Sequence, residues 1–311
     1  MELANYFSRC KDKFVVRSPI QERLSIVCRK FSISGTVHGF GNNVKCIAGK
    51  VGLSPNNIDS NSRMIETTVI GIDCSTDNAK VGLAVAQVHN ADCAIQTVQI
   101  CRGRESVAKK VAQLIETSNR TLLALDSPLG WPAPMSEALT KHSAGAPLVG
   151  DAHSLFRRST DIYIKKHLGK QSLDVGADCI ARTAHWTLSM LDEVRKISGL
   201  TIPLAWEPDF PERVAAIEVY PAATLVAHGI PSTGYKSFTV GSNQARGKII
   251  GWLQKLIRIS SDATIMQDNA DAIDAGLCAF AGFEFLGGAA SSPEQPDLAM
   301  REGWIWVRRK I

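Results

Sequence analysis

No stretch of this chain approaches the ~20 consecutive apolar residues that a membrane-spanning helix needs, so a membrane partner is not expected. There is no CxxC pair and no His/Cys cluster with zinc spacing, which removes the usual structural zinc sites. The seven histidines form no metal-spaced pair. Aromatic residues are scarce, at 6%, and the net charge of +5 is unevenly spread. Residues 1–64 hold ten Lys/Arg against four Asp/Glu, a net +6, which leaves residues 65–311 at −1. A body so close to neutral has no global field for a polyanion, and the reading of long duplex DNA is not expected of it. Eight cysteines are present, but Cys74, Cys93 and Cys278 lie within apolar strand-like or helix-like segments. Free thiols in a reducing cytoplasm are the expectation.

What the chain does contain is a particular placement of acids. Asp271 and Asp274 lie three residues apart in a run otherwise built of small and apolar residues, Asn269 to Phe280. On a helix they share a face, and two like charges on a buried face are costly unless a cation offsets them. Asp73 closes the apolar run Thr68–Ile72, and Asp126 closes Thr121–Leu125. Acids at strand ends together with an acid pair on a late helix suggest a divalent-metal site.

Residues 1–64 lack sustained periodicity and are expected to be a basic segment, disordered or outside the core. The absence of a central apolar stretch argues against a secretory signal there. A basic tail, a transit-like segment and residues upstream of a start at Met64 all remain open. Residues 65–311 read as one α/β domain. A strand ends at Asp73, a second covers Val81–Val88, and a third, edge-type strand covers 94–101. Val107, Val111, Leu114 and Ile115 predict a helix over 104–118, and the continuous apolar run 121–125 predicts a parallel strand buried on both faces. An irregular insertion follows over about 127–212, with helices expected at 152–168 and 181–197. The fifth strand is Val214–Val219, the acid-bearing helix covers 269–286, and Trp304–Val307 is expected to form a final strand.

Seven short motifs stand in order: Ile70-Gly71-Ile72-Asp73; Leu125 to Pro132; Arg158-Ser159-Thr160-Asp161; Gly169-Lys170 with Asp178-Cys179-Ile180; Glu218 to Ala223; Gly234-Tyr235-Lys236; and Asp271 to Ala275. Together they resemble domain-of-unknown-function family 429, described as ribonuclease H-like nucleases. The resemblance implies a three-layer fold with a mixed five-stranded sheet in the order 3-2-1-4-5 and a helical insertion after strand 4. It further implies that Asp73, Asp126 and Glu218 converge at neighbouring strand ends. In one departure, Leu173-Asp174-Val175-Gly176-Ala177 stands where family members carry a serine-rich stretch.

Carboxylate oxygens are hard ligands suited to Mg²⁺ or Mn²⁺, and two such ions can cleave a phosphodiester. The expectation is that Asp73, Asp126, Asp271 and Asp274 bind metal, with Glu218 a further catalytic acid. The competing readings are a helix-start acid for Asp271, an Asx turn for Asp126, and a structural ion pair for Glu218. From the resemblance, Arg158, Asp161, Asp178 and Lys236 are expected at the substrate, with Arg158 and Lys236 on phosphates. An ordinary Arg158–Asp161 ion pair is the alternative. A short or structured nucleic acid is the expected partner. One rival is an actin-type ATPase or phosphotransferase, since Gly71–Thr76 resembles its first phosphate loop, although that architecture needs two fold repeats. The other is a non-catalytic binding module of the same fold.

Overall fold

A computed structural model describes residues 66–309, apart from Arg104, Ala177, Ser261 and Asp262. The basic segment 1–64 lies outside the described residues. Six strands form one mixed sheet: β1 (Thr67–Asp73), β2 (Gly82–His89), β3 (Asp92–Ile100), β4 (Thr121–Asp126), β5 (Val214–Glu218) and β6 (Arg258–Ile259). Their order is β5-β4-β1-β2-β3-β6. The expected count of five was one short. The two-residue β6 pairs in parallel with Ala94 and Ile95, so β3 is covered where it was expected to be an edge.

Ten α-helices are present among the described residues: α1 (Val107–Glu116), α2 (Ala133–Thr140), α3 (Ala152–Phe156), α4 (Ser159–Leu168), α5 (Asp178–Ser198), α6 (Pro221–Ala227), α7 (Val240–Leu253), α8 (Ala263–Asp268), α9 (Ala270–Leu286) and α10 (Pro296–Glu302). None is long and apolar enough to cross a membrane. Side-chain alternation along the strands splits the core into two faces. Val69, Leu122, Ala124 and Ile217 pack with Ile273, Leu277 and Phe280 of α9. Ile70, Ile72, Leu123 and Leu125 pack with Val111 and Ile115 of α1 and with Leu191 and Val194 of α5. Helices on both faces explain why β1 and β4 are apolar at nearly every position, as buried strands are.

Two expected elements take a different form. The helix expected over 152–168 breaks at Arg157–Arg158, because Arg158 adopts an extended backbone and its N–H donates to the Asp161 carboxylate. The segment Trp304–Val307 forms no strand. All four of its residues are buried, and it meets β5 through the single bridge of Ile305 with Glu218.

α9 lies unusually close to the sheet. A side chain at Gly71 would run into the backbone of Ala275 and Ala279, and one at Gly82 would run into the Asp271 carbonyl. The small residues Ala272, Ala275 and Ala279 make up the matching helix surface, all of them fully buried. Gly71→Ala is therefore expected to destabilise the protein by about 1–3 kcal/mol or more in urea unfolding, since the helix must move off the sheet. By contrast, Gly251→Ala, whose added carbon meets nothing within 4 Å on α7, should be neutral or stabilising.

Candidate metal centre

The site is set by strand register. Asp73 and Asp126 are aligned partners in the parallel β1–β4 pair, so both side chains leave the sheet on the same face, the one that α9 covers. Asn269 caps α9, accepting from the N–H groups of Asp271 and Ala272 at 2.7 and 3.0 Å. One turn later Asp274, 2% exposed, points at the strand ends. Carboxylate oxygens of Asp73, Asp126 and Asp274 all lie within 4.8 Å of one another. They stand at the base of a cleft of about 310 Å³ that Pro128, Leu173, Ile180, Tyr220 and Lys236 help to wall.

The three acids are not equally provided for. Asp274 accepts a hydrogen bond from the Tyr235 hydroxyl at 2.7 Å and pairs with the Lys236 ammonium at 2.7 Å. Among the described residues no group donates to the carboxylate of Asp73 or of Asp126. Burial, then the Asp274 and Asp126 charges, hold Asp73 well above the usual carboxylate range. Burial also pushes Asp126 up to about 7, with Lys236 pulling the other way and Asp274 and Glu218 adding to the rise. Asp274 itself is raised by burial, which Lys236 and Tyr235 partly offset. Burial alone would lower the Lys236 ammonium, but the Asp274, Asp126 and Asp73 carboxylates reverse that and keep it charged. Ionised together, three carboxylates against one ammonium would leave an excess of negative charge that divalent cations would neutralise. The oxygen donor set suits Mg²⁺ or Mn²⁺.

Asp271 lies outside this cluster. It is half-buried at the first turn of α9, and its carboxyl is raised by burial and then by Asp274. Glu218 is outside as well, for a reason of register. Its aligned partner on β4 is Leu125, not Asp126, so it leaves the opposite face of the sheet. There it receives Arg158 bidentately at 2.7 and 2.8 Å, and the Leu129 N–H at 3.0 Å. Arg158, Asp161 and Glu218 line the same cleft, and Arg158 forms the ion pair with Asp161 that the sequence left open as the alternative to a phosphate contact. Its five N–H donors are divided between Glu218, Asp161 and the Glu302 carbonyl, and it is 1% exposed. Asp161 is equally committed, to Arg158 and to the Ser172 hydroxyl at 2.9 Å. Asp178 is exposed at the start of α5, 3.8 Å from Arg182, in a groove with Thr76, His185 and Trp186 and away from the cleft. Lys236, expected at a phosphate, pairs with Asp274.

Tyr235 escaped notice as a site residue, although its neighbour Lys236 did not. Its sequence signal was its place in the motif Gly234-Tyr235-Lys236, from which only Lys236 was given a role. The structure buries it completely against Asp274.

Two measurements probe these contrasting acid groups. Arg158→Met leaves two carboxylates buried without their cation and should cost about 3–5 kcal/mol in chemical unfolding. For the cluster, raised carboxyls mean that the folded state keeps protons which the unfolded chain releases above about pH 4. Stability in chelator should therefore fall as pH rises from about 4 through about 7, where Asp126 ionises. Mn²⁺ should raise the melting temperature most at the alkaline end, and Asp126→Asn should flatten the profile.

The sequence profile of the family described as "Protein of unknown function (DUF429)" matches residues 71–298, a span that includes every acid of the cluster. No curated protein matches the chain. With most of its length inside that profile, the chain belongs to the DUF429 family.

Proposed function

We propose that this protein is a ribonuclease H-like hydrolase that cleaves phosphodiester bonds of a short or structured nucleic acid at Asp73, Asp126 and Asp274. The observation that carries the reading is the convergence of these three carboxylates within 4.8 Å, two of them with no hydrogen-bond donor among the described residues. Structural acids end up like Glu218 and Asp161, saturated with donors. Acids left bare at the base of a cleft, at measurable cost to the fold, are the mark of a group kept for a ligand. The order of β1 to β5, with a helical insertion between β4 and β5, supports the ribonuclease H-like assignment.

A pair of divalent ions held here would activate a water for attack on phosphorus and stabilise the departing oxygen. Asp73 and Asp126 are the ligands with free lone pairs, and Asp274 is the third, its geometry fixed by Tyr235. Asp271, one turn before Asp274, extends the same negative surface. Lys236 is 57% exposed and keeps its charge, so it can turn from Asp274 toward a substrate phosphate while remaining in the cleft. Tyr220 on the cleft wall stays a neutral hydrogen-bond donor, because burial pushes its phenol up to about 12. The described residues contain one sheet, whereas an actin-type ATPase is built on two such units.

Single- and double-stranded DNA and RNA oligonucleotides, end-labelled and incubated with Mn²⁺, test the proposal directly. Cleavage of at least one of them is expected, with a loss of about 100-fold or more in Asp73→Asn and in Asp126→Asn. Cleavage that persists undiminished in both variants would reject the site.

A further inference from the structure

The cleft extends beyond the carboxylate cluster. Asp73 and Asp126 line it together with Arg158, Asp161 and Glu218, in one cavity of about 310 Å³. That is the low end of the range that ligand pockets span, with room for one nucleotide unit and none for a base pair. Its apolar walls include Ile180 of α5, Val219 after β5, Ile305, and Leu173, which is 63% exposed. Several of its polar groups are already engaged. The Arg158 guanidinium donates to Glu218 and Asp161, the Ser172 hydroxyl to Asp161, and the Thr183 hydroxyl to the Cys179 carbonyl. What keeps capacity for a ligand is the pair of bare carboxylates, Asp73 and Asp126, and the Tyr220 hydroxyl, which has no hydrogen-bond partner among the described residues. After burial, the strongest influences on the Tyr220 phenol are the charges of Asp126, Lys236 and Asp274, so this free donor lies on the cluster side of the cleft.

We infer that the cleft takes a single unpaired nucleotide unit of the substrate, its phosphate between the carboxylate cluster and the Tyr220 hydroxyl and its base against Leu173 and Ile180. The inference rests on the phosphodiesterase reading above and adds to it the form of the substrate, a nucleotide at a strand end or an unpaired one within a strand. A base that is still paired brings its partner with it. The walls, tied through Arg158 and Glu302, leave no room for two. An unpaired base can be withdrawn at little cost and offers its apolar faces to aliphatic side chains.

Calorimetric titration with nucleoside 5′- and 3′-monophosphates in Mn²⁺ tests the inference without turnover, since these carry no phosphodiester. At least one should bind, and ribose 5-phosphate, which lacks the base, should bind about 10-fold more weakly. Leu173→Ala should weaken the monophosphate and the matching nucleoside alike, by about 5-fold. Tyr220→Phe should weaken the monophosphate about 10-fold and leave the nucleoside unchanged. Both variants should melt like wild type, because Leu173 is exposed and phenylalanine keeps the ring of Tyr220. Failure of every monophosphate to bind wild type would overturn the inference, as would affinities unchanged in both variants. Circular single-stranded DNA and its linear form separate the two sources of the unit. Cleavage of the circle assigns an unpaired nucleotide within a strand, and cleavage of the linear form alone assigns a strand end. A relaxed, closed duplex cleaved as fast as either would overturn the inference. If monophosphates bind as expected but Mn²⁺ supports no cleavage, the hydrolase reading fails and the nucleotide site stands. Cleavage by a wild type that binds no monophosphate has the reverse meaning.

Discussion

The alignment of Asp73 with Asp126 across β1 and β4 is the constraint on which the rest of the site depends. A slip of one residue would send one acid to each face of the sheet. Both strands are buried on both sides, so such a slip would also exchange their two apolar faces, and packing against α1 and α9 resists it. The same parity disposes of Glu218. Aligned with Leu125, it emerges on the face opposite the cluster. The third acid arrives by a separate route, on a helix that the missing side chains of Gly71 and Gly82 allow to settle against strand backbone.

Two groups of buried acids, with opposite arrangements, stand on either side of the sheet ends. Glu218 and Asp161 surround a guanidinium whose donors are all engaged, with the Leu129 amide and the Ser172 hydroxyl serving the remaining lone pairs. Asp73, Asp126 and Asp274 have one ammonium among them, and it reaches only Asp274. Desolvation acts on both groups. Burial raises Glu218 too, with the Arg158 guanidinium and the Leu129 amide pulling the other way, whereas Asp73 has no hydrogen-bond donor among the described residues to offset its burial. The contrast separates structural acids from those available to a ligand more sharply than burial does, since Glu218 and Asp274 are buried almost equally, at 3% and 2% exposed.

Much of this was legible in the sequence. The uninterrupted apolar runs before Asp73 and Asp126 marked them as ends of buried strands, and the spacing of Asp271 and Asp274 within small residues marked a helix pressed against something. What stayed hidden was long-range. That Asp274 joins the cluster while Asp271 stands aside depends on the rotation of α9 over the sheet, which no local pattern encodes. For Glu218 a catalytic acid and a structural ion pair both stayed open, because parity between β4 and β5 is a property of their pairing. Arg158 looked like a phosphate ligand because an arginine beside a candidate site says nothing of how many donors are already spent. The strand expected at Trp304–Val307 reduces to one bridge at the end of β5, whose Ala216 is bridged instead by Leu204, a long-range competition that local β-propensity does not encode.

The Arg158 network ties the insertion to the sheet. Its guanidinium comes from the start of α4, inside the insertion, and its strongest partner is the last residue of β5. Glu302 adds a second tie, accepting from the first amides of both α2 and α4. A cleft wall tied to β5 through Arg158 and to α10 through Glu302 cannot swing like a lid without leaving a buried charge unpaired. Any ligand of the cleft would therefore meet a mouth of fixed width.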